Sequence, residues 1–99
     1  MLYEISILAK KETAFESVDK LIEKAIKSVG GEIKSVEDFG VKNLAFNIGD
    51  ESKARYIFYD AELPDRSAMK LYSKFNLEKD ILRYLIVKVG ERSEDDRKN

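Results

Sequence analysis

The sequence predicts one α+β domain, a four-stranded antiparallel sheet with two helices on one face. Three observations predict it. Apolar residues alternate with period two in four segments and recur at helical spacing in two others. The segments follow in the order strand, helix, strand, strand, helix, strand. The chain has 99 residues, which fits a single layer of helices on a sheet and leaves no room for a second domain.

The first strand covers Leu2 to Leu8, with Tyr3, Ile5 and Ile7 on one face and Glu4 and Ser6 on the other. Thr13 and Glu16 then form a T-x-x-E capping box, in which each side chain satisfies a free backbone donor at a helix start. Phe15, Val18, Leu21, Ile22, Ala25, Ile26 and Val29 make one buried stripe. Glu16 with Lys20 and Glu23 with Lys27 are i,i+4 pairs on the wet side. Gly30-Gly31 ends the helix, since glycine takes the left-handed C′ conformation without strain. Glu32 to Ile48 reads as a long strand interrupted at Gly40, the mark of a bulge or sharp bend. Gly49 to Lys53 is turn-like. Arg55 to Leu63 is a third strand, closed by Pro64, which cannot donate to a ladder. Asp65 is the expected N-cap of a short second helix with Ala68, Leu71, Tyr72 and Phe75 on one face. Asp80 to Val89 is the last strand. The domain therefore runs over residues 1–90. Residues 91–99 hold no apolar side chain and read as a tail that stays disordered until something binds it.

Each βαβ half makes a right-handed crossover, and the two halves interlock. This is the ferredoxin-like split βαβ sandwich. Its helices cover one sheet face, so the other must be explained. On the third strand Ile57, Tyr59, Ala61 and Leu63 alternate with Tyr56, Phe58, Asp60 and Glu62. Two carboxylates are costly under helices, so the first set is core and Tyr56 and Phe58 lie on the open face. On the last strand Leu85, Val87 and Val89 are more uniformly apolar than Leu82, Tyr84, Ile86 and Lys88, and are expected in the core. The open face then carries Tyr56, Phe58, Tyr84 and Ile86, with Leu2 and Leu8. An apolar patch of that size marks a partner surface.

Composition excludes several chemistries. There is no His and no Cys, so the chain alone builds no Ser-His-Asp or Cys-His site, no His-ligated zinc site, no disulfide and no iron–sulfur centre. No cofactor or metal is expected. No segment approaches the run of about 20 apolar residues that spans a membrane. The N-terminus has no signal-peptide pattern, so a cytoplasmic protein is expected. Eighteen Lys and Arg against nineteen Asp and Glu give a net charge of −1, which argues against a blanket nucleic-acid coat.

Among side chains that could carry chemistry, Asp60 and Glu62 share a strand face but lack a third ligand or a phosphate-cradling loop, and read as solvated acids. Nothing matches a P-loop or G-x-G-x-x-G. Arg55-Tyr56-x-Phe58 lies on the strand where an RNA recognition motif places its stacking aromatics, although the glycines of that pattern are missing. Lys42, Arg83 and Lys88 are candidate phosphate contacts, each also readable as a plain surface charge.

Beyond this, the chain resembles a known family, that of the sixth protein of the bacterial small ribosomal subunit, from Tyr3 to about Val89. The resemblance is carried by Tyr3-Glu4, Gly30-Gly31-Glu32-Ile33, Val36-Glu37-Asp38-Phe39-Gly40, Lys42-Asn43-Leu44-Ala45-Phe46-Asn47-Ile48, Tyr56 with Phe58, and Ile81-Leu82-Arg83-Tyr84-Leu85. It implies a non-enzymatic role in the ribosome. The expected partners are the central domain of small-subunit ribosomal RNA and the basic ribosomal protein eighteen of that subunit, with no small-molecule substrate and no membrane. RNA contacts are implied at Tyr3, Lys42, Asn43, Arg83 and Lys88, and a protein-partner surface at Tyr56, Phe58, Tyr84 and Ile86. Met1, Leu2 and Asn43 stand where the family is often basic, and Phe46 where it often has Tyr. Fewer phosphate contacts are therefore expected, each missing one lowering the salt slope by about one counterion.

Two other functions compete. A free-standing single-stranded RNA binder needs stacking aromatics on both central strands, and Glu4 and Ser6 on the first strand disfavour it. An acylphosphatase-like enzyme needs Arg and Gly in the loop after the first strand, where Ala9-Lys10-Lys11-Glu12 stands instead.

Overall fold

The computed structural model describes residues 1–90, so the tail expected at 91–99 lies outside the described residues. β1 (Leu2–Lys10) buries every second side chain: Tyr3, Ile5, Ile7 and Ala9. α1 (Phe15–Ser28) buries Val18, Ile22, Ala25 and Ile26, the stripe that helical spacing required. The expected capping box does not form. The helix starts one residue late for it, with Ala14 at the N-cap and no side-chain cap. The Thr13 carbonyl is instead engaged by Arg55 Nε, which donates to it at 3.2 Å. The C-terminus follows expectation. Gly30 has φ +83°, and the amides of Gly30 and Gly31 donate to the carbonyls of Lys27 and Ile26 at 3.0 and 2.9 Å. Gly31 is needed for close approach: a Cβ there would lie 2.5 Å from Leu63 Cδ2 and 2.9 Å from the Glu62 carbonyl oxygen.

β2 (Glu32–Ile48) and β3 (Glu51–Glu62) form a long antiparallel hairpin that turns at Gly49-Asp50. The interruption expected at Gly40 is a register shift between Asp38 and Gly40. α2 (Ser67–Asn76) buries Ser67, Leu71 and Phe75. Asp65 does not cap it. The Ser67 amide donates to the Pro64 carbonyl at 3.2 Å, and this tight turn moves the start past Asp65, leaving Arg66 at the N-cap without a side-chain cap. β4 (Ile81–Gly90) closes the sheet. The strand order is β2-β3-β1-β4, with every neighbouring pair antiparallel, so the ferredoxin-like arrangement is observed.

The core lies between helices and sheet. Ile5, Ile7, Ile57 and Tyr59 meet Ile22, Ile26, Leu71 and Phe75, all essentially inaccessible. The Tyr59 hydroxyl donates to Asp19 Oδ1 at 2.9 Å. Burial, and then that bond to a carboxylate, push the phenol pKa well above its ordinary value.

One parity expectation is overturned. Ile86 pairs with Ile5 and Tyr84 with Ile7 on the helix-covered face. Ile86 is 8% exposed, whereas Leu85 is 59% and Val87 42% exposed. The Tyr84 ring meets Phe75 edge-on at 5.3 Å, and its hydroxyl donates to Asn76 Oδ1 at 2.7 Å. A tyrosine can thus stand under the helices because α2 offers its hydroxyl an acceptor. Arg83 has the parity of Leu85, so the expected orientation would have set a guanidinium on the core side, a cost like the one that decided the third strand.

Candidate nucleic-acid and partner interface

The strand registers lay out the open face in rows. At one end Lys42, Ala54 and Lys10 stand side by side on β2, β3 and β1. The next row runs Gly40, Tyr56, Leu8, Arg83, and the next Glu37, Phe58, Ser6, Leu85. Then come Ser35, Asp60, Glu4 and Val87, with Glu62 and Leu2 beyond them. Lys10, Lys42 and Arg83 therefore stand in the first two rows, and Glu4, Asp60 and Glu62 in the last two, with Glu37 in the middle row. Glu62 accepts the N-terminal ammonium of Met1 at 2.7 Å. Apolar side chains run through the middle rows: Tyr56 and Leu8 beside Arg83, Phe58 and Leu85 in the next row, and Val87 beside Glu4. Asp60 is tied down by Ser35, whose hydroxyl donates to it at 3.0 Å. The rows span the whole sheet, so Arg83 stands roughly 14 Å from the β2 edge at three strand spacings.

The distal part of the β2–β3 hairpin projects past the basic end. A small network sets its direction. Asp38 Oδ1 accepts the Gly40 amide at 2.9 Å and its Oδ2 accepts Arg55 Nη1 at 2.7 Å. Gly40 adopts φ +80°, a conformation glycine reaches without strain. Since Arg55 also holds the Thr13 carbonyl, the bulge is bolted to the loop before α1. Beyond it the Lys42 ammonium lies 5.9 Å from the Phe39 ring centroid, an arrangement that favours the cation. Phe46 near the tip is 87% exposed.

The residues expected to contact RNA are only partly brought together. Lys42 and Arg83 share the basic end of the open face. Asn43 is exposed on the same hairpin but pairs with Lys53 on the ribbon's other face. Lys88 is exposed opposite Tyr3, on the helix-covered side and at the other end of β4. Tyr3 is 6% exposed and belongs to the core, so it is withdrawn as a contact residue. On the expected partner surface Tyr56 and Phe58 stand on the open face, half-buried. Tyr84 and Ile86 do not, and their places are taken by Leu85 and Val87. Arg55 leaves the aromatic constellation, since it faces away from Tyr56 and is used inside the molecule. Lys10, Leu85, Val87 and Phe46 were missed. The charge of Arg83 pointed to Leu85 and Val87, whereas an aromatic in a strand pattern gives no sign of exposure. Among the described residues no helix is long and apolar enough to cross a membrane.

Comparison with known proteins agrees with this architecture. The family model described as Ribosomal protein S6 matches residues 2–88. Two curated relatives, the small ribosomal subunit proteins bS6 of Rhizobium meliloti and of a Chelativorans species, are each 31% identical over 96 residues, 94% of this chain. The chain spans 64% and 65% of their respective lengths. The crystal structure of 30S ribosomal protein S6 from Thermotoga maritima superimposes with a TM-score of 0.73 at 20% identity, covering 98% of this chain and 91% of that one. It shares the fold.

Proposed function

We propose, because the chain belongs to the ribosomal protein S6 family, that it is a structural, non-catalytic constituent of the small ribosomal subunit in the cytoplasm. It binds the central domain of small-subunit ribosomal RNA as a heterodimer with the basic ribosomal protein eighteen. The observation that carries this reading is the charge-segregated open face. Lys10, Lys42 and Arg83 at one end suit phosphates, which fix register without reading sequence. The apolar side chains of the middle rows suit the buried centre of a protein interface, and the acidic end suits a basic neighbour. Lone single-strand binding fits less well, because β1 offers Glu4 and Ser6 to that face where stacking would need aromatics.

Filter binding of the central-domain RNA, with and without purified ribosomal protein eighteen, tests it. Tight binding is expected only with both proteins present. Lys42→Ala and Arg83→Ala should each lower the salt slope by about one counterion, while Phe58→Asp should weaken protein pairing first. Equally tight binding by the isolated chain at physiological salt would overturn the partner-dependent reading.

A further inference from the structure

Most of the exposed large apolar side chains fall into two groups. One follows β2 and its hairpin: Val36, Phe39, Val41 and Phe46. The other surrounds the outer edge of β4. Leu85 and Val87 stand on the open side, and Met69, 73% exposed, and Tyr72, 40% exposed, belong to α2. Tyr84 shows which flank of α2 this is, for its ring lies 5.7 Å from that of Tyr72 and its hydroxyl bonds Asn76. Positions 69, 72 and 76 share a helix flank by their spacing, so Met69 overhangs β4 as well.

β4 is an end strand, and among the described residues nothing pairs with its outer edge. The two sheet edges are built differently. β2 is broken by three register shifts against β3, a device that blunts an edge against strand addition. β4 runs from Lys88 to Arg83 through six consecutive pairs with β1 without a shift, and its charges stand only at the ends of that stretch. A long, regular, apolar edge is a template for another strand.

We propose that the β4 edge pairs antiparallel with the β4 edge of a second copy of this chain, about a twofold axis at Leu85, giving a continuous eight-stranded sheet. Residues directly opposite in an antiparallel pair point to the same face, and an axis through a residue keeps the helices of both copies on one side. Leu85 then meets its own image, Tyr84 meets Ile86, Arg83 meets Val87 and Leu82 meets Lys88. No like charges oppose each other, and the exposed Leu85 side chains cover one another. Met69 and Tyr72 of the two α2 helices face each other across the axis. The hairpin, Tyr56 and Phe58 stay accessible, whereas Leu85, Val87 and Arg83 are shared with the interface proposed above. This pairing therefore belongs to the free chain and competes with the partner for the β4 edge.

Sedimentation equilibrium of the full chain from micromolar to millimolar concentration tests it, with amide hydrogen exchange on the same samples. A concentration-dependent dimer is expected, in which the outward amides of β4, every second one from Arg83 to Lys88, gain protection as it forms. Leu85→Lys opposes two ammonium groups at the axis and removes the leucine contact. It should weaken association about tenfold or more while the monomer keeps its circular dichroism. Leu77→Ser, at a still more exposed leucine just past α2 on the side of α1, should leave association unchanged. A monomer throughout the range overturns the proposal. So does a dimer indifferent to Leu85→Lys, or protection of the outward amides at every concentration, which would mean that the rest of the chain itself covers the edge.

Discussion

The near and distal halves of the β2–β3 hairpin are one ribbon under two regimes. In the near half Ile57, Tyr59 and Ala61 are buried beneath the helices, with Ile33 packed against them. Past Gly40 only Ala54 of β3 is still buried in the ribbon, and towards the tip Phe46 is 87% exposed. Burial holds the first half. Local hydrogen bonds, the Gly49 turn and the Asp38–Arg55 anchor hold the second. The contrast separates the part of the strand pair that makes the domain stable from the part that offers its surface to something else.

The covered half should break hardest. Phe75→Ala empties a fully buried site against Tyr84 and should cost about 4 kcal/mol in urea unfolding, with both halves lost together. Tyr59→Phe removes the bond to Asp19 and should cost about 1.5 kcal/mol at neutral pH. Its pH dependence sharpens the point. A folded-state pKa above the unfolded one means stabilisation that is whole below the unfolded pKa of about 10 and drains away as pH rises past it. The wild type should therefore lose more stability than Tyr59→Phe between neutral and strongly alkaline pH, and the two curves should approach. Parallel curves would deny that this phenol is held neutral by the fold.

Smaller effects probe the junction and the tip. Asp38→Ala unties the bulge and should cost about 1 kcal/mol, with hydrogen exchange accelerating beyond Gly40 more than before it. Uniform acceleration would show that the two halves are one cooperative unit. Phe46→Ser should change stability by less than about 0.5 kcal/mol. A larger loss would mean that the tip is held by contacts other than its own.

Much of this was legible beforehand. The alternation in Leu2–Leu8, the stripe from Val18 to Ile26 and the Gly30-Gly31 stop each depend on one element's own periodicity or backbone freedom. Asp60 and Glu62 fixed the parity of the third strand because carboxylates on the wrong face are expensive at any register. The helix caps at Thr13 and Asp65 were not legible, since a neighbouring chain segment in one case and a tight turn in the other moved each helix start past the capping residue. The candidate site was half legible. Tyr56 and Phe58 were placed on the open face, and Lys42 and Arg83 were named as candidate contacts, although the expected parity of β4 turned Arg83 the wrong way. Tyr84, Ile86 and Tyr3 were drawn on the surface and stand in or against the core.

By itself the sequence determined the element order, the faces of β1, α1 and β3, and the chemistry the chain lacks, because alternation, helical spacing and composition are properties of single segments. It took the assembled sheet to settle which face of β4 is buried, that Arg55 serves the bulge, and that Lys10, Lys42 and Arg83 stand in neighbouring rows of one sheet face. Those outcomes depend on register between strands distant in the chain. Both faces of β4 read as apolar, and what settled them was the pairing of Ile86 with Ile5 and the acceptor α2 holds out to Tyr84.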